Sequence, residues 1–184
     1  IIKPNYAFSC YLCGGLDYLK YSILHESVGH GFGLLADEYV DYIDQELPES
    51  NKNRLKLDQA KGLCLNLSLT NDSQSVYWSY LIGHPRYPYV GVYEGGYKYN
   101  NGIWRSELVS LMSTLLTDLY FNAISRELLV KRILELSGEG YSFDKFLQKD
   151  SDEGRPTGGS LSLSPFRSTS IDWVDRLSVG PDEP

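Results

Sequence analysis

The segment His25-Glu26-Ser27-Val28-Gly29-His30 constrains this chain more than any other, because it holds two of only three histidines and sets them five positions apart. It lies in a stretch from Leu16 to about Phe32 where Leu16, Leu19, Ile23, Leu24 and Val28 recur mostly every three or four residues, the stripe of a helix laid on a core. Gly31 and Gly33 supply the stop. On an ideal α-helix, residues four apart differ by about 40° around the axis, whereas residues five apart differ by about 140° and point away from each other. A π-type turn, with i→i+5 hydrogen bonding, absorbs the extra residue and returns both imidazoles to one face. Gly29 has no side chain to resist the distortion and is the expected place for it.

If the two rings converge, the residue types set the chemistry. Neutral imidazoles suit Zn²⁺, with nitrogen about 2.0–2.1 Å from the metal. Glu26, adjacent to the first ring, is placed to act as general base on a water and to pass the proton to a leaving amine. A catalytic zinc site takes three protein ligands and keeps one position for water. Asp37 and Glu38 follow soon after Gly33 lets the chain turn; Asp37 is the first choice as third ligand by position, Glu38 the reserve, and the loop residue His84 a more distant alternative. The spacing taken alone also fits two ordinary helical histidines that bind nothing.

The longer string from His25 to Tyr39, HESVGHGFGLLADEY, resembles the signature of the IgA-peptidase family of bacterial zinc metallopeptidases. That family carries a zinc-helix motif followed by a glycine and an A-D-E-Y or similar tetrad, and some members have the lengthened histidine spacing. The resemblance continues through Tyr93-Glu94-Gly95-Gly96-Tyr97, Gly102-Ile103-Trp104-Arg105, Ser110-Leu111-Met112 and Tyr120-Phe121-Asn122-Ala123 into Arg132-Ile133, and so covers roughly residues 20–150. It implies an α+β, metzincin-like core with an active-site helix, a methionine-bearing turn at Met112, C-terminal helices and a reduced N-terminal sheet. It implies a secreted or otherwise extracytoplasmic zinc endopeptidase acting on a protein or peptide, with Zn²⁺ held by His25, His30 and Asp37 and Glu26 as the base. Tyr97 and Tyr93 are candidates to contact substrate or the tetrahedral intermediate. With 15 tyrosines in the chain, packing is the ordinary role for most of them. Because residues 1–24 are all that precede His25, the N-terminal part of such a domain is expected to be incomplete, the chain to be a processed form or fragment, and a catalytically silent peptide- or glycan-binding module on the same scaffold is the alternative.

The remaining composition narrows the partners. Lys plus Arg total 17 against 24 Asp plus Glu, a formal charge of −7, which leaves no basic stripe for nucleic acid. No window approaches eighteen uninterrupted apolar residues, so no transmembrane helix is expected. Cys10, Cys13 and Cys64 are too few for a disulfide scaffold, and the Cys10–Cys13 pair reads as ordinary thiols. Residues 44–62 read as a surface connection, and 77–104, rich in Tyr, Gly and Pro, as strand fragments and turns. Asn122 is the expected cap of a helix through Ile124, Leu128, Ile133 and Leu136 to Gly138, with a short helix after Ser142. The domain is expected over 1–150, with a Ser/Gly/Pro-rich tail over 151–184.

Overall fold

The computed structural model describes residues 16–113 and 119–155. The Cys10–Cys13 pair, the rest of residues 1–15 and all but the first residues of the expected tail lie outside them. The described chain is mixed α+β: helix α1 (Leu16–Ser22) runs into a π-helix (Ile23–Phe32), followed by β1 (Val40–Glu46), α2 (Glu49–Gln59), β2 (Leu67–Ser68), β3 (Tyr93–Gly96), β4 (Lys98–Arg105), α3 (Ala123–Ser137) and α4 (Phe143–Lys149). No helix is long and apolar enough to cross a membrane among the described residues.

The extra residue between the histidines is absorbed as the spacing requires, but over a longer stretch than one bulge: ten residues are π-helical, and the Gly33 amide closes the end on Val28 O at 2.8 Å. The wider turn shifts the buried stripe. Tyr21, His25, Gly29 and Gly33, four apart, face inward, while Ile23, which a regular helix would place on the core stripe, is 46% exposed. The glycines in that stripe are needed for close approach: a Cβ on Gly33 would stand 2.8 Å from Leu129 Cδ2.

Strand β4 organises the sheet. β3 pairs with it antiparallel in a hairpin, β2 antiparallel through Leu67↔Arg105, and β1 parallel through Val40↔Lys98, with irregular register between. The parallel β1–β4 pairing brings the chain just after the π-helix alongside the hairpin turn, so Tyr97 N donates to Asp37 O at 2.9 Å and Lys98 N to Tyr39 O at 3.0 Å. One apolar cluster (Ala36, Leu47, Leu55, Leu67, Ile103) sits between sheet and α2; a second, around Trp78, Leu81, Tyr87, Ile124 and Phe146, joins the 77–90 loop to α3 and α4.

Two expectations are corrected here. The 44–62 segment is not only a connection: it holds the end of β1 and the whole of α2. That helix is charged nearly all round and buries only Leu55 and Asp58, so its periodicity is almost silent; Pro48, extended at the N-cap, is its clearest start signal. In α3 the Asn122 cap is present, its side chain accepting from Ser125 N at 3.0 Å, and Gly138 ends the helix at φ 75°. The core stripe does not extend along it, however: Ile133 and Leu136 are exposed, because α3 packs through its first two turns, where Ala123, Ile124, Ser125 and Glu127 are buried.

Candidate metal centre

The π-helix turns both imidazoles toward Asp37. His25 Nε2 and His30 Nε2 each lie 3.0 Å from Asp37 Oδ1, and the ring centroids are 4.8 Å apart. Ligand-type atoms of these three residues all lie within 4.8 Å of one another, the arrangement that can hold one metal ion. The other ring nitrogens are committed elsewhere. His25 Nδ1 faces Leu111 O at 3.0 Å and the Tyr21 hydroxyl at 2.8 Å, and His30 Nδ1 faces Leu35 O at 2.8 Å. A carbonyl oxygen only accepts, so both Nδ1 atoms carry their hydrogens, and each neutral ring then presents a lone pair at Nε2. Two lone pairs and a carboxylate oxygen aimed at one point repel unless a positive charge sits among them.

In the absence of a metal that charge is a proton. Burial opposes it at His30, but the hydrogen bond and charge of Asp37, with Leu35 O and Glu26 adding, raise the His30 pKa to about 9. Asp37 is buried too, yet its bonds to His25 and His30 hold its carboxyl well below the usual range. Because the folded-state value at His30 exceeds the ordinary 6.5, its contribution to stability is complete below that pH and is lost as pH rises through about 9. Asp37 acts in the opposite sense, stabilising above its ordinary 3.8 and losing that only in strong acid. Thermal melts of the metal-free protein are therefore expected to lose about 2–3 kcal/mol of stability between pH 6.5 and 9.5, after allowance for the partial exposure of His30.

The backbone around Asp37 is clamped on several sides. Asn66 pairs with Ala36 like a strand, accepting from its N at 2.8 Å and donating to its O at 2.9 Å. Glu38 N donates to Met112 O at 2.7 Å, and Arg105 Nη1 donates to Glu38 O at 3.0 Å. Extended chain alternates its side chains, so Asp37 faces the histidines while Glu38 points into the protein. There Glu38 is fully buried and accepts from Asn66 and Asn122; burial, against the pull of those amides and of Arg105, pushes its pKa up to about 7. Of the two acids weighed from sequence, Asp37 is thus the one brought to the rings. His84 packs against Tyr87 and Phe143, on the other cluster.

Met112 lies directly beneath. Its turn is held by Ser110 and Ser113, and its buried side chain fills the space that a Cβ on Gly29 would need: such a carbon would sit 2.5 Å from Met112 Sδ. Gly29→Ala is accordingly expected to destabilise the protein by about 1–3 kcal/mol, as measured by urea unfolding, because the neighbour is fixed from both sides of the turn.

Beside His30 and Asp37 opens a cleft of about 470 Å³, lined also by Glu26, Arg54, Asp58, Cys64 and Tyr97. Tyr97 therefore borders the site. Tyr93 does not reach it: its hydroxyl donates to Tyr89 O at 3.1 Å and its ring covers Gly91. Tyr21 and Tyr39 were not singled out from sequence. Tyr21 supports His25, and the Tyr39 phenol is pushed above its ordinary range by burial and then by the charge of Asp37. Neither has a spacing signal of its own, since each matters only through a partner set by folding. No known protein-family model matches the chain, and no curated protein matches it.

Proposed function

We propose that this protein is a zinc-dependent endopeptidase of metzincin-like design, with the Met112 turn serving as the support beneath the metal helix. The observation that carries the reading is the pair of Nδ1–H groups tied to Leu111 O and Leu35 O, which leaves both Nε2 lone pairs and Asp37 Oδ1 aimed at one point. Nitrogen, nitrogen and carboxylate oxygen are the donor set of open catalytic zinc sites. Zinc bound there would lower the pKa of a water and polarise a peptide carbonyl.

The chain's own groups supply the rest. Glu26 lines the cleft together with His30 and Asp37, its carboxylate close enough for its charge to act on His30. From there it takes a proton from the attacking water and delivers it to the leaving amine nitrogen. Asp37, clamped through Ala36, Glu38 and its own carbonyl, keeps its oxygen on the rings with little freedom to move. The Tyr97 phenol, half-buried on the cleft wall and raised by its surroundings, stays protonated and available to donate to a substrate carbonyl. The Tyr39 phenol, likewise held protonated, stands beside Asp37.

The test is metal analysis of protein purified without chelators, together with peptide-library cleavage by the parent and by Glu26→Ala. Stoichiometric zinc with Glu26-dependent cleavage is expected. Absence of bound zinc ends the reading, and zinc with no cleavage of any peptide leaves the silent binding module in its place. Saturating zinc is also expected to flatten the alkaline loss of stability, because the ion occupies the position of the proton.

A further inference from the structure

Several residues that line the cleft have no part in the hydrolytic chemistry. Among them are Leu34, Leu63 and Cys64, beside Tyr97, and the Arg54–Asp58 pair of α2. Leu34, Cys64 and Tyr97 hold left-handed backbone without being glycine, at φ 57°, 56° and 51°, and Cys64 N donates to Leu34 O at 2.8 Å. Strained positions of this kind gather where a wall must take one particular shape.

The two charges of that pair differ in setting. Arg54 Nε reaches Asp58 Oδ2 at 2.8 Å, but the Arg54 side chain is 66% exposed and its charge is screened by water. The Asp58 side chain is only 12% exposed, and no donor among the described residues reaches its Oδ1. Burial and then the charge of Asp58 push the Cys64 thiol up to about 12, so the wall beside it is uncharged. A carboxylate oxygen without a donor among the described residues, in a cleft lined in part by apolar side chains, suits a cation on a methylene stem.

We infer that this part of the cleft receives a lysine or arginine side chain of the bound peptide, its stem along Leu34, Leu63 and Tyr97 and its cation on Asp58 Oδ1. That the ligand is a peptide rests on the proposed function; the choice of a basic side chain rests on Asp58. An acidic side chain would instead have to use Arg54, out in solvent.

The experiment uses the full chain carrying Glu26→Gln, so that bound peptide stays intact, and four acetylated hexapeptides of alanine and glycine differing only in one central residue: lysine, arginine, norleucine or glutamate. Calorimetry is expected to give the lysine and arginine peptides dissociation constants about tenfold or more below that of the norleucine peptide. Adding Asp58→Asn, with circular dichroism confirming the fold, brings the lysine peptide to the norleucine value. Arg54→Ala, which frees Oδ2 as well, widens the gap. Equal affinities, no binding of any peptide, or a glutamate preference lost in Arg54→Ala each overturn the inference. The proposed function fails separately, on zinc content and Glu26-dependent cleavage in the parent chain.

Discussion

Glu26→Ala is expected to lower kcat for peptide cleavage by about 10²–10⁴-fold, the usual contribution of a positioned general base, with zinc still bound at one per chain. The physical reason is the division of labour in the cleft. His25, His30 and Asp37 make the ligand cluster, and Glu26 is not part of it. Under the proposed function, removing its carboxylate takes away the proton acceptor and leaves the candidate metal donors in place. The charge of Glu26 also helps hold the proton on metal-free His30, so the same variant should show a lower His30 pKa by NMR titration without zinc. A variant that lost zinc and activity together would place Glu26 among the ligands instead.

Asp37→Ala should raise the zinc dissociation constant by about a hundredfold or more, as read by competition with a chromophoric chelator. It removes the one carboxylate among the described residues that faces both rings and leaves two imidazoles around an incomplete site. Glu38→Gln, one residue along, should leave zinc stoichiometric. The Glu38 carboxylate is turned away, between Asn66 and Asn122, and its work is to hold strand, loop and α3 together. The contrast between neighbours separates a ligand from a structural acid more sharply than either variant alone. If Glu38→Gln also lost zinc while its fold held, the ligand set would have to be redrawn.

Much of the site was legible before folding because it is local. His25, Glu26 and His30 lie on one helix, and by the arithmetic of the α-helical turn the two rings can share a face only through a π-type deformation, which the structure contains. Gly29 lies within the distortion, which spans ten residues instead of one bulge, and part of its role is hidden in the string: Met112, far along the chain, occupies the volume beside it. The cap at Asn122 and the stop at Gly138 were legible for the same local reason. Helix α2 was missed since a helix that buries little more than Leu55 has almost no stripe to see, and the wall that α2 lends the cleft was missed with it. The role of Arg105 was equally hidden; it appears in the string only as the end of a strand, and in the fold it bonds Glu38 O and Gly95 O.

By itself the sequence determined the chemical inventory and its spacing: two imidazoles and a carboxylate on one helix, two acids just beyond a glycine turn, and a single methionine downstream. Only the tertiary structure decided which acid meets the rings, which carbonyls take the Nδ1 hydrogens, and what walls the cleft. Periodicity and capping are written within a few residues of themselves. The meeting of Asp37 and Leu111 O at His25, and the place of Asp58 on the cleft, depend on strand pairing and packing between separate segments, where no short-range pattern records the outcome.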